Sequence, residues 1–251
     1  MESVMILLFF ALGLLFGSFF NVVGLRIPKK MPFANDRSRC PKCNHQLAWY
    51  DNIPLLSFLL QRGRCRYCRE SISYIYPAIE FLTGIFFALG YTLIGLQLEL
   101  ITALLLVSLL MIILVSDLAY MIIPNKVLLF FLPFFLIMRL IVPLDPWWSG
   151  LAGAFAGIAI IMLVILISKG GMGAGDMKLF GVLGIVLGLQ GTFLSFFLSC
   201  IIGAIIGLVL IGFRIIDRKQ PVPFGPYIVV ASLITYFFGE GLMDWYFTIL
   251  S

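Results

Sequence analysis

Apolar runs long enough to cross a bilayer recur along most of this chain, and no other feature limits its fold as severely. They lie at approximately 3–25, 73–95, 98–116, 124–143, 148–168, 177–190, 191–213 and 223–248. The hydrocarbon core of a bilayer is about 30 Å thick, and a helix needs about 20 residues to span it. Lipid offers no hydrogen-bond partner to a backbone, so each crossing segment must satisfy its own N–H and C=O groups, as a helix does. The spacing predicts an all-α polytopic membrane protein with about eight transmembrane helices. Composition agrees, with 62% hydrophobic and 12% charged residues. Globular chains average about 45–50% apolar and about 25% charged, so the excess has to face lipid. The weakest boundary is at Leu189-Gln190-Gly191, where one polar residue and a glycine separate the sixth and seventh runs.

Orientation follows from the basic residues, which are retained on the cytoplasmic side of span ends. With eight spans and the N-terminus outside, the first internal loop holds Arg26, Lys29, Lys30, Arg37, Arg39, Lys42, Arg62, Arg64, Arg66 and Arg69. Lys126, Lys169, Lys178, Arg214, Arg218 and Lys219 also fall at internal ends, and Arg139 alone is left near an outer end. The net charge of +5 then reflects topology and attraction to anionic membrane lipid; it does not indicate a nucleic-acid partner. Met1-Glu2-Ser3-Val4 lacks the basic start of a cleaved signal peptide, and the apolar run leads directly into Arg26-Ile27-Pro28-Lys29-Lys30. Residues 1–25 are therefore expected to stay as the first span.

Residues 26–72 gather charges, prolines and four of the five cysteines, and read as a small cytosolic insertion between the first two helices. Residues 73–251 form the remaining membrane core of about seven helices. The insertion carries Cys40-Pro41-Lys42-Cys43 and Cys65-Arg66-Tyr67-Cys68. Two C-x2-C knuckles can complete the tetrahedral shell of a structural zinc site. A pair of disulfides is the competing reading, which a reducing cytoplasm disfavours. So small a domain has few core residues and needs such a staple. His45 is read as an ordinary surface histidine and Cys200, within the seventh run, as a small apolar residue.

Ionisable side chains at membrane depth are costly, so each one asks for a reason. Asp117 adjoins the third apolar run and Asp176 the sixth, within Gly173-Ala174-Gly175-Asp176, and both fall on the cytoplasmic side. Two carboxylates sharing a site repel each other, so one stays protonated near neutral pH while its partner acts as a base. Such a pair activates water against a carbonyl with neither a metal nor an acyl-enzyme. Serine or cysteine chemistry lacks a base, because His45 is the single histidine and lies in the cysteine loop. Gly173 and Gly175 let the backbone bend and a substrate approach closely. On these residues alone, a transporter's cation site remains an equal alternative.

Several blocks in order resemble the prepilin peptidases, the type IV leader peptidases with a GxGD active-site pattern. They are Gly17-Ser18-Phe19-Phe20-Asn21 with Arg26 and Pro28, the tetracysteine loop, and Trp49-Tyr50-Asp51-Asn52-Ile53-Pro54 inside it. Then come Tyr76-Pro77-Ala78-Ile79-Glu80, Asp117 with Ile123-Pro124, the block ending in Asp176, and Pro223-Phe224-Gly225-Pro226. The resemblance implies a membrane aspartyl endopeptidase of the bacterial inner membrane, its active site facing the cytoplasm, with Asp117 and Asp176 as the catalytic pair. It implies Cys40, Cys43, Cys65 and Cys68 as zinc ligands and prepilins or pseudopilins as substrates, which carry short basic leaders ahead of an apolar helix. It also implies N-methylation of the new N-terminus from S-adenosylmethionine, for which Gly63 and Arg64 are the candidate contacts, Arg64 standing where lysine is frequent.

Two rival functions are separable. An ion-coupled transporter using Asp117 and Asp176 would be expected to show inverted repeats, and no convincing duplication is found. A nucleic-acid-binding zinc module fits the ten basic residues of the loop, but stacking aromatics are few. A basic leader calls for acidic contacts, and Asp36, Asp51, Glu70 and Glu80 are the candidates. The oligomeric state is not legible.

Overall fold

The computed structural model describes residues 1–31, 39–40, 42–168, 172–214 and 222–250. Asp36, Arg37, Pro41, Lys169, Arg218 and Lys219, named above, lie outside them. The described residues form helices α1 (Glu2–Arg26), α2 (Leu56–Leu60), α3 (Ile75–Ile94), α4 (Leu98–Tyr120), α5 (Asn125–Ile141), α6 (Ser149–Ile167), α7 (Ala174–Gly212) and α8 (Gly225–Leu250). A 3-10 turn occupies Trp49–Asn52, and the only β-pairing among them is two isolated bridges. The chain divides into two compact units, Met1–Ala119 and Tyr120–Ser251.

In the first unit α1 packs on α3 along small residues. A side chain added at Gly13 would lie 2.7 Å from the Gly84 Cα, and one at Gly17 would lie 2.7 Å from the Glu80 Cα. Without a hydrophobic drive between helices in lipid, this close backbone approach supplies the dispersion contact that holds them. Phe9 stacks on Tyr91 with ring centroids 4.9 Å apart. α4 is the most deeply buried span, with Leu106, Val107, Leu109, Leu110 and Ile113 fully enclosed. Gly24 of α1 rests on Val115 and Ile112 of α4.

In the second unit α7 holds 39 residues, which as a straight rod would reach about 58 Å. It does not run straight. Gly188 (φ 72, ψ −178) interrupts it, and the Phe180 and Phe196 rings on either side are 6.0 Å apart. Sixteen residues of continuous helix would separate them by about 24 Å. α7 is thus a hairpin, and the backbone at Gly188 occupies a region open essentially to glycine alone. Its turn falls one residue before the doubtful boundary of the sequence, so the sixth and seventh apolar runs are its two arms.

The reversal breaks the helical ladder, and side chains take up the freed groups. Arg139 Nη2 donates to the Val186 carbonyl at 2.8 Å, the Leu189 N–H donates to Ser149 Oγ at 3.0 Å, and Thr192 Oγ1 donates to the Gly188 carbonyl at 2.6 Å. Arg139, the one basic residue out of place by the charge rule, is here for its hydrogen bonds. α6 lies against this hairpin, and a side chain at Gly184 would collide with the Gly153 and Ala154 backbone. α8 joins through the Ser195 and Ser232 hydroxyls, 3.0 Å apart and fully buried.

Six of the described helices are long and apolar enough to cross a membrane: α1, α3, α4, α6, α7 and α8. Adding the 17-residue α5 and counting both arms of α7 matches the eight apolar runs one for one.

A Gly188→Ala change adds a Cβ 2.7 Å from Ser149 Oγ in a disallowed backbone region. It is expected to cost about 1–3 kcal/mol, read as a lowered midpoint in detergent unfolding, whereas Gly207→Ala, with open space around it, leaves the midpoint near that of the parent chain.

Candidate active site and metal centre

The four cysteines of the insertion converge. The Sγ atoms of Cys40, Cys43, Cys65 and Cys68 all lie within 4.8 Å of one another, with Cys40 and Cys68 3.8 Å apart. A tetrahedron with Zn–S arms of about 2.3 Å has edges of about 3.8 Å, so the donor set and its span fit zinc. All four are free thiols; Cys40 and Cys65 are buried, and Cys43 and Cys68 sit at the rim.

Both knuckles are built alike. The Cys40 N–H donates to the His45 carbonyl and the Asn44 N–H to the Cys40 carbonyl; the Cys65 N–H donates to the Glu70 carbonyl and the Arg69 N–H to the Cys65 carbonyl. Asn44 and Arg69 hold matching left-handed conformations, φ 55 and φ 59. The Cys43 backbone is the largest influence on Cys40 and brings its thiol down to about 7. The Glu70 backbone works to lower Cys68, but desolvation and the thiols of Cys65, Cys43 and Cys40 override it and push Cys68 up to about 12. Thiols this close cannot all ionise side by side, and a bound dication removes that conflict.

His45 is no ligand: it is exposed, and its ring lies 3.6 Å from that of Tyr67. Gly63 (φ 68) forms the turn before the second knuckle, and a Cβ there would lie 3.0 Å from the Phe58 ring. Folding of the knuckle therefore accounts for the glycine, while the Arg64 side chain is exposed.

Sequence reasoning missed the hub of this loop. Asp51 is buried; its carboxylate receives Arg66 Nε at 3.2 Å, Gln61 Nε2 at 3.1 Å, the Ala48 N–H at 3.2 Å and the Tyr67 hydroxyl at 3.3 Å. The signal was an acid in an uncharged stretch between Lys42 and Arg62, with nothing local to name its partners. Glu80 is likewise committed, accepting the Leu55 N–H at 2.9 Å. Of the acids considered for a basic leader, Asp51 and Glu80 serve the loop's own frame. Glu70 faces exposed Lys42 across 3.8 Å, and Asp36 lies outside the described residues.

Asp117 and Asp176 belong to different units. Asp117 lies within the last turn of α4 and is 5% exposed; Asp176 lies in the first turn of α7 and is 8% exposed. A carboxylate at a helix C-terminus is opposed by the helix dipole, so helix stability does not explain Asp117. Asp176 suits its position: its Oδ2 accepts the Gly173 N–H at 3.0 Å, and its own N–H donates to the Gly173 carbonyl at 3.1 Å. Gly175 rests on Ile123, its missing Cβ 3.0 Å from the isoleucine Cβ, and Lys178 Nζ donates to Asn125 Oδ1 at 3.1 Å. Those two contacts pin the Asp176 turn to the start of α5.

Residues 11–94 match the Bacterial Peptidase A24 N-terminal domain, and residues 104–208 match the Type IV leader peptidase family. A prepilin leader peptidase/N-methyltransferase of Bacillus subtilis (strain 168) is 42% identical over 242 residues, which cover 96% of this chain and 98% of the relative. The chain belongs to the type IV leader peptidase family. Proteins of the same printed name from Aeromonas salmonicida (strain A449) and Vibrio cholerae serotype O1 are 34% and 33% identical, covering 95% and 94% of this chain and 92% and 98% of theirs. No solved structure matches the chain. Family membership along nearly the whole length leaves the transporter alternative without support.

Metal analysis of chain purified without chelator is expected to give about one zinc per molecule. Stripping it with a strong chelator is expected to expose the 39–69 segment to trypsin while the spans stay protected. Asp51→Ala leaves the Arg66, Gln61 and Tyr67 donors unmatched and costs about 1–3 kcal/mol, seen as faster zinc loss to a chromogenic chelator.

Proposed function

We propose that this family member is a prepilin leader peptidase acting at the cytoplasmic face of the inner membrane, with Asp117 and Asp176 as its catalytic pair. The observation that carries the reading is the burial of two acids at the ends of apolar helices, one of them in a position that a helix resists. The positive-inside distribution of lysine and arginine supports the cytoplasmic placement. The printed names of the relatives support prepilins as substrates.

In this reading one aspartate takes a proton from water, and the oxygen bonds to the scissile carbonyl carbon. The other, protonated, gives its proton to the oxyanion or to the departing amine as the C–N bond breaks. Each reaction restores the starting protonation with the roles exchanged. The Gly173–Asp176 hydrogen bond fixes the rotamer of one carboxylate, and Gly175 keeps bulk away from the adjacent backbone.

N-methylation is the second half of the relatives' names. S-adenosylmethionine would supply an electrophilic methyl group to the new amine. Of its two candidate contacts, Arg64 offers an exposed side chain, and Gly63 sets the turn that presents it.

Reconstituted protein and a prepilin test both activities. Asp117→Asn and Asp176→Asn are each expected to lower cleavage by a factor of about 100 or more, with zinc content unchanged; full activity in either variant rejects the pair. Label transfer from S-adenosylmethionine to processed pilin is expected from the parent chain and from Asp117→Asn supplied with pre-cleaved pilin.

A further inference from the structure

The leader-peptidase reading leaves α2 unexplained. Its Ser57 hydroxyl donates to the Ile53 carbonyl at 2.7 Å and its Phe58 ring meets Tyr74 at 5.5 Å, so these two residues turn inward. Leu56, Leu59 and Leu60, at i, i+3 and i+4, share the opposite face and point outward, Leu59 68% and Leu60 80% exposed. Trp49, on the 3-10 turn packed against α2, is 79% exposed. A loop bathed in water would put such residues inside.

The geometry points to α2 as an interfacial anchor that seats the tetracysteine loop in the headgroup and upper acyl region of the bilayer. Depth is the first argument. The Leu55 N–H, one residue before α2, is held by the Glu80 carboxylate at 2.9 Å. Glu80 lies five residues into α3, about 7.5 Å along a helix that crosses the membrane. Leu55 (φ 58) and Arg62 (φ 53) bend the chain sharply on both sides of α2, so the short helix lies beside that second turn of α3. It cannot extend far into the cytosol.

Charge is the second argument. Arg62, Arg64 and Arg69 follow α2 directly, and all three are exposed. Apolar side chains beside a basic cluster, at the end of a span, match the chemistry of an anionic lipid surface, into which leucines and tryptophan insert while arginines hold the phosphates. The inference concerns the loop's seat and stands whether or not the aspartate pair is catalytic.

Two single-tryptophan chains test it, both with Trp147, Trp148 and Trp245 changed to Phe. One retains Trp49; the other carries Trp49→Phe and Leu60→Trp. Each is reconstituted, zinc-loaded, into vesicles containing phosphatidylglycerol with bromines placed high or low on the acyl chains. Both tryptophans are expected to lose emission, more to the high bromines than to the low ones. Adding Leu59→Ser and Leu60→Ser to the Trp49 chain is expected to restore its emission at unchanged zinc content. Because the Trp49 chain leaves α2 untouched, a folding defect from Leu60→Trp does not remove the test. Emission that ignores bromolipid in the Trp49 chain overturns the proposal. So does emission that responds only when a prepilin is added, which would assign this face to the substrate's apolar helix.

Discussion

A backbone that leaves its helix inside a bilayer must bring its own hydrogen-bond partners, since lipid supplies none. The second unit of this protein turns on that constraint at Gly188. The glycine permits the reversal, and Arg139, Ser149 and Thr192, from three helices, take up the carbonyls and N–H that it frees. α5, α6 and both arms of α7 are thereby tied at one point, and the arm that begins with Asp176 acquires a fixed far end. Its near end is fixed by the Gly175–Ile123 packing and the Lys178–Asn125 bond.

Much of this was legible in the chain. Hydropathy located each long apolar helix among the described residues, because a membrane helix advertises itself over about 20 residues, and cysteine spacing located the four-thiol cluster. What stayed hidden were pairings between distant positions. Nothing near Asp51 announces Arg66, and nothing in Tyr76-Pro77-Ala78-Ile79-Glu80 announces that the glutamate holds the Leu55 N–H. Arg139 stood out as an exception to a charge rule, but its reason needed the hairpin. The third apolar run was read as ending at 116, whereas α4 continues to Tyr120, which carries Asp117 inside the helix. That error is one of element ends, where polar residues enter a helix that its neighbours still support.

The insertion shows how a short segment lacking a large core is held. The knuckles repeat one hydrogen-bond pattern twice, so the four thiols are presented by two similar hooks. Asp51 gathers the 3-10 turn, Gln61, Arg66 and Tyr67 around one carboxylate. Glu80 links this small domain to a membrane helix. Polar networks thus take the place that apolar packing has in a larger domain.

The first arm of α7 runs from Ala174 to Gly188, about 21 Å of helix, against a hydrocarbon layer of about 30 Å. Leu179, Phe180, Leu183 and Val186 along it are enclosed by neighbouring helices, so this arm is held by protein and does not need to match the lipid in length. A segment shorter than the layer cannot bring both of its ends to the two surfaces, so at least one of Asp176 and Gly188 lies below the headgroups, and hydrogen-bond partners from within the protein serve both ends.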